Sequence, residues 1–186
     1  MPGRTLLLSS YVARGTVGLK ATEPPLRHAG IEVIGLPSTL LSNHPGHSHV
    51  AGTAIDPAVL LAMIDALDKN GWLQDLDIFL SGYLPTPDHV GVAAHLLDRL
   101  ATTAPHCRYV CDPVIGDEGR MYVSNPIADA VLNGLAPQAD WLTPNAYELG
   151  LIAGKEITEV DHARDAARRL GKPVLCSSLR TPLGLG

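Results

Sequence analysis

Tyr109-Val110-Cys111-Asp112-Pro113-Val114-Ile115-Gly116-Asp117-Glu118-Gly119-Arg120-Met121-Tyr122 begins as a buried strand and breaks into an acidic, glycine-punctuated loop. Tyr109–Cys111 is apolar and short, as a strand covered on both faces should be. Pro113 has no N–H to give to a ladder, so the strand ends at Asp112 and the carboxylate is left facing the cleft. Asp117 and Glu118 follow within six residues. Acids crowded among glycines repel a bare phosphate but suit one bridged by a cation. An acidic solvated turn has the same composition.

The pattern of this stretch, an apolar run passing into a polar loop, recurs outward in both directions. Leu6–Ser9, Ile31–Leu36, Leu76–Leu80, Trp141–Leu142 and Val174–Cys176 are the other expected strands. Helical period fills the gaps. Asp56-Pro57 opens a helix with Val59, Leu60, Met63, Ile64 and Leu67 on one face, closed by Asn70-Gly71. A second helix begins at Asp88 and aligns Ala93, Leu97 and Leu100; a third carries Val160, Ala163, Ala167 and Leu170 and stops at Gly171. Strands alternating with helices mean parallel pairing and right-handed crossovers, an α/β fold with helices on both faces. Ligands of such sheets sit beyond the carboxyl ends of the strands. The segments to search are therefore 9–18, 37–52, 81–87, 112–122 and 143–148.

At 186 residues, 46% hydrophobic and 18% charged, the chain is expected to form a single domain, 1–186, with a core of its own. Its net charge of -5 argues against a general grip on nucleic acid. The longest apolar runs are too short to cross a bilayer, and Leu6-Leu7-Leu8 is too short for a signal-peptide core. Three cysteines, Cys107, Cys111 and Cys176, form no CxxC and fit a reducing compartment. The expectation is a cytoplasmic protein without a membrane partner.

The first loop, Ser10 to Gly18, lacks GxGxxG, and GxxxxGK[ST] is absent throughout, which disfavours a nicotinamide-dependent oxidoreductase. Asn43-His44-Pro45-Gly46-His47-Ser48-His49 has three histidines but no neighbouring carboxylate or cysteine to complete a metal site. It reads better as a mobile loop over a ligand. In Thr143-Pro144-Asn145-Ala146-Tyr147-Glu148, Thr143 is placed to cap a helix whose first turn holds Pro144, with Asn145 and Glu148 on one face.

Taken in order, Ser10…Arg14-Gly15…Val17-Gly18, Ser42-Asn43-His44, Ser81-Gly82-Tyr83, Cys111-Asp112-Pro113-Val114-Ile115-Gly116-Asp117, Met121-Tyr122-Val123 and Thr143-Pro144-Asn145…Glu148-Leu149 resemble the pyridoxal kinases of the ribokinase-like superfamily. The likeness runs from about Leu6 to Ser178. It implies a three-layer α/β/α fold with a mainly parallel central sheet. It also implies transfer of the γ-phosphoryl group of ATP to the 5′-hydroxyl of pyridoxal, pyridoxine or pyridoxamine. By the resemblance, Ser10, Tyr83 and Tyr122 line the vitamin pocket, with His44 and His47 on the substrate side. Asp112, Asp117, Thr143, Glu148 and Ser177 fall on the ATP side. Asp112, Asn145 and Glu148 organise Mg2+, partly through water or phosphate, and Thr143 helps hold K+ in some members. A homodimer is implied as well.

Three departures stand beside the likeness. Pro45 replaces a common Thr, making His44-Pro45-Gly46-His47 a variant loop. Pro24-Pro25 should interrupt the first helix and leave only its later part. The GxGD segment, whose aspartate takes the hydroxyl proton, has no counterpart; Leu183-Gly184-Leu185-Gly186 is unlike it. The expectation is a C-terminally truncated kinase. A catalytically inactive vitamin- or nucleotide-binding remnant and a hydroxymethylpyrimidine kinase are the alternatives.

Overall fold

The computed structural model describes residues 3–181 and 184–185. In chain order it contains β1 (Arg4–Arg14), α1 (Leu19–His28), β2 (Glu32–Asn43), β3 (Gly52–Ala54), α2 (Pro57–Lys69), β4 (Ile78–Ser81), α3 (Pro87–Thr103) and β5 (Arg108–Cys111). There follow β6 (Gly116–Asp117), β7 (Arg120–Met121), α4 (Asn125–Ala130), β8 (Trp141–Leu142), α5 (Ala146–Ala153), α6 (Val160–Leu170), β9 (Arg180–Thr181) and β10 (Gly184–Leu185).

Six strands form the central sheet in the order β3-β2-β1-β4-β5-β8. All neighbours are parallel except β2 with β3. Alternation along β1 divides the core between the two faces. Leu6 and Leu8 join Phe79, Leu36 and the buried sides of α2, α3 and α4, including Leu60, Ile64, Ala93 and Leu96. Leu7 turns the other way and packs with Leu19, Val33 and Leu26 beneath α1. Helices on both sides of a mainly parallel sheet make the three-layer α/β/α arrangement. A further cluster of Leu149, Ile157, Ala163 and Ala166 joins α5 to α6.

Several local expectations change. β1 and β2 run to Arg14 and Asn43, pairing from Arg4↔Glu32 to Arg14↔Asn43. Much of what reads as post-strand loop, 9–18 and 37–52, is thus strand projecting from the sheet, and β3 pairs with Thr39–Leu41 to widen it. Pro24 and Pro25 lie inside α1, which continues to His28. Though these prolines lie past the middle of α1, the N–H groups they lack would have met only the Lys20 and Ala21 carbonyls of the first turn, and the later turn still closes through Ala29 N–H to the Pro25 carbonyl at 3.0 Å. On α2 the inward stripe is Leu60 and Ile64, whereas Val59 and Met63 stand exposed. The α3 cap is Thr86, and Pro87 occupies the first turn. Segment 174–177 runs beside β8 through two single parallel bridges, Leu142↔Val174 and Asn145↔Ser177. With only Trp141 and Leu142 to pair against, it has too short a neighbour to become a full strand.

Candidate active site

Three strand ends converge. β4 ends at Ser81, β5 at Cys111 and β8 at Leu142, and the chain is passed between them by backbone bonds. Asp112 N–H donates to the Ser81 carbonyl at 2.9 Å, and Thr143 N–H donates to the Cys111 carbonyl at 3.0 Å. Gly82, Asp112 and Thr143 are thereby set side by side. Gly82 brings backbone close to two polar groups: a Cβ there would lie 2.5 Å from Ser9 Oγ and 4.0 Å from Asp112 Oδ2.

Val114 has a φ of 28°, a strained value for a β-branched residue. Beyond it the next two amides converge on one carboxylate oxygen: Ile115 N–H and Gly116 N–H donate to Glu148 Oε1 at 2.7 and 3.2 Å. The other oxygen accepts from Asn145 N–H at 3.0 Å, while Asn145 Oδ1 accepts from Glu148 N–H at 2.9 Å. Asn145 Nδ2 also donates to the Gly116 carbonyl at 2.7 Å. Asn145, not Thr143, is therefore the cap of α5, in a reciprocal capping box with Glu148. Thr143 instead lies near Asp112, where its hydroxyl favours the charged carboxylate.

Electrostatics follow from this burial. Asp112 is pushed up to about 7, first by loss of water and second by the charge of Glu148; the Thr143 hydroxyl opposes both. Glu148, 3% exposed, is also raised by burial, against three backbone donors that lower it. Two acids that resist joint ionisation describe a place for a cation. Among the described residues no group of three or more His, Cys, Asp or Glu could hold a metal ion unaided. Asp112 and Glu148 would need oxygen ligands from outside the protein to complete a cation site there. Glu148 and Asn145 already hold backbone groups, and only their remaining lone pairs are open to an ion.

The other expected site residues divide. Asp117 lies in the short hairpin of β6 and β7, with Tyr122 beside it and exposed. Ser177 is bridged to Asn145, and its N–H donates to the Pro144 carbonyl at 3.0 Å. Ser10 is buried at the root of the β1 extension, and Tyr83 is half-buried against the core. His44 and His47 are not gathered with these groups. They are exposed beyond the end of β2, and four residues of strand, roughly 13 Å, separate the Ser10 partner Thr39 from Asn43. The stretch after Ser178, read from the sequence as lacking the GxGD segment, includes 182, 183 and 186, which lie outside the described residues. Burial raises Cys107 and Cys176 to about 11 and Cys111 to about 12, so none is a reactive thiolate at neutral pH.

Two buried serines at this end of the sheet, Ser9 and Ser38, carry no motif and were not anticipated. His89 is another: its ring bonds Thr86 Oγ1 at 2.7 Å and the Ile55 carbonyl at 2.8 Å, pinning the start of α3. A lone serine or histidine in an apolar run gives no sequence signal, since its partner is distant along the chain.

Residues 50–179 match the family model described as phosphomethylpyrimidine kinase. A pyridoxal kinase of Deinococcus radiodurans is 34% identical over 171 residues, covering 91% of this chain and 57% of that protein. Human pyridoxal kinase is 32% identical, covering 90% and 53%. The chain spans about half the length of the curated relatives it matches. Among solved structures, pyridoxal kinase from Entamoeba histolytica aligns with a TM-score of 0.88 at 30% identity, over 98% of this chain and 66% of that one. Pyridoxal kinase from Leishmania donovani in complex with ADP and pyridoxamine aligns with a TM-score of 0.83 at 29% identity, over 92% and 62%.

Proposed function

The chain belongs to the phosphomethylpyrimidine kinase family, and from that premise we propose that it carries the vitamin pocket and the acidic ATP-side loops of a cytoplasmic pyridoxal kinase. The reaction would move the γ-phosphoryl group of ATP to the 5′-hydroxyl of pyridoxal, and of pyridoxine and pyridoxamine. The observation that carries the reading is the Asp112–Glu148 pair: Asp112 follows β5 beside Gly82, Glu148 stands in the first turn of α5, and burial raises both carboxyls. Phosphoryl transfer needs positioning and charge neutralisation more than covalent help.

Each residue has a role on this reading. Tyr83 and Tyr122 face the flat pyridine ring, and Ser10 gives it a hydrogen bond. Asp112, Asn145 and Glu148 hold Mg2+, partly through water; the ion, when bound, offsets the charge of the phosphate oxygens. Thr143 holds the Asp112 carboxyl in place and is the candidate for a K+ ligand. Asp117 and Ser177 complete the ATP side. The projecting β1–β2–β3 extension carries His44 and His47 as a cover that excludes water. A homodimer is proposed on the likeness alone. No GxGD run occurs in these 186 residues, so the proton acceptor of the family is not among the groups assigned here.

Calorimetry on this chain with pyridoxal, hydroxymethylpyrimidine and a non-hydrolysable ATP analogue with Mg2+ tests the assignment. Binding of pyridoxal and of the analogue is expected. Tighter binding of the pyrimidine would move the substrate to the family's other alcohol, and failure to bind the nucleotide would sink the kinase reading. Turnover of pyridoxal with Mg-ATP then separates an enzyme from a binding remnant.

A further inference from the structure

β2 has one residue more than β1 can pair. Ser9 stands opposite Pro37 and Ser10 opposite Thr39, so Ser38 is the extra residue of a β-bulge. It is fully buried. Its hydroxyl reaches past β1 and donates to the Tyr83 carbonyl at 2.6 Å, while its own carbonyl accepts from Ile55 N–H at 3.0 Å. On the other side of the same residue, Tyr83 N–H donates to Ser9 Oγ at 3.2 Å. Both backbone polar groups of Tyr83 are thus held by side chains, at the point where β4 has ended and ladder bonding has stopped. Gly82 closes the arrangement. Its N–H donates to the Leu8 carbonyl at 2.9 Å, and there is no room for a side chain against Ser9.

The bulge makes this possible. Side chains of a strand alternate between faces, so a regular register would send the residue at 38 to a different direction and leave the Tyr83 carbonyl unpaired. Fixing N–H and C=O of one residue fixes its φ and ψ, and with them the direction of the Cα–Cβ bond.

We infer that Ser38 and Ser9 are positioning residues that set the direction of the Tyr83 ring, and hence the fit of the pocket to a flat heteroaromatic substrate, without touching that substrate. The inference rests on the pocket role proposed for Tyr83. A plain core role for the two hydroxyls would lower stability and leave the ring where it is.

Ser38→Ala, Ser9→Ala and Ser38→Cys, made in the full chain, separate these roles. The readouts are the Tyr83 ring resonances by selective isotope labelling, affinities for pyridoxal and for the ATP analogue, and the urea midpoint. Ser38→Ala is expected to shift the Tyr83 ring signals and weaken pyridoxal by about tenfold, the worth of one lost hydrogen bond. The nucleotide affinity should stay within about twofold. Ser38→Cys keeps a weaker and slightly larger donor at the same place and should recover part of the loss. Unmoved ring signals in both alanine variants, or an equal loss for both ligands, would overturn the inference. Should the parent chain bind no B6 vitamer, the pyridoxal reading fails on that result. The clamp is then decided by the ring signals, which move only if the serines position Tyr83.

Discussion

Asp112 titrates in the wrong place for an ordinary aspartate, and the sign of its effect on stability can be tested. Its carboxyl rises from 3.8 to about 7 on folding, through burial first and Glu148 second. Between those values the folded protein keeps a proton that the unfolded chain has released, so stability falls as pH rises through that window. Asp112→Asn should flatten this slope and make the ligand-free protein more stable than the parent above pH 7. Urea unfolding at pH 5 and pH 8 measures both; a less stable Asp112→Asn at pH 8 would falsify this account. Glu148 behaves in the opposite structural sense, because three backbone N–H groups depend on it. Glu148→Ala strands them in a buried place and should cost about 3 kcal/mol in the same unfolding assay. Both carboxylates stand out in the sequence through their motifs. That Glu148 grips the loop after Asp112 does not, because its partners lie more than thirty residues away in the chain.

At the scale of elements, two joints hold the β8 edge, where pairing is shortest. Asn145 caps α5 and also ties it to the Gly116 carbonyl. Asn145→Ala should lose about 1 kcal/mol from the cap, with a further loss from the freed carbonyl. Lys172 makes the second joint. Its ammonium donates to the carbonyls of Ala136, Pro137 and Ala139 at 3.1, 2.9 and 2.8 Å, clipping the chain after α6 to the turn before β8. Lys172→Met keeps the stem and removes the charge, and should lower stability by about 2 kcal/mol in denaturant titration. An unchanged midpoint would mean that the three bonds only replace equivalent ones to water. The sequence points to Thr143 as the cap, and the structure gives that role to Asn145. The reciprocal bonds of Asn145 with Glu148 make Asn145 the cap. Nothing in the sequence marks Lys172, because backbone acceptors leave no trace there.

Across the whole molecule, order should decline from the middle strands to the edges. Leu6, Leu7, Leu8 and Phe79 are fully buried, whereas Gly52–Ala54 are exposed and segment 174–177 is held by single bridges. Native-state hydrogen exchange should find the β1 and β4 amides opening only with global unfolding, and those of β3 and 174–177 opening locally. Equal protection throughout would contradict this gradient. Among the described residues, no helix is long and apolar enough to cross a membrane. The amino-acid order alone was enough for the α/β class, the parallel sheet, most helix positions and the acid-bearing loops. Those follow from local periodicity, from proline and glycine stops, and from residue types that few chemistries require together. It was not enough for the length of β1 and β2, the bulge at Ser38, the serines on Tyr83 or the lock between Glu148 and the Asp112 loop. Each is a match between groups far apart in the chain. Their bonds exist only once the sheet has set its register and the strand ends have met.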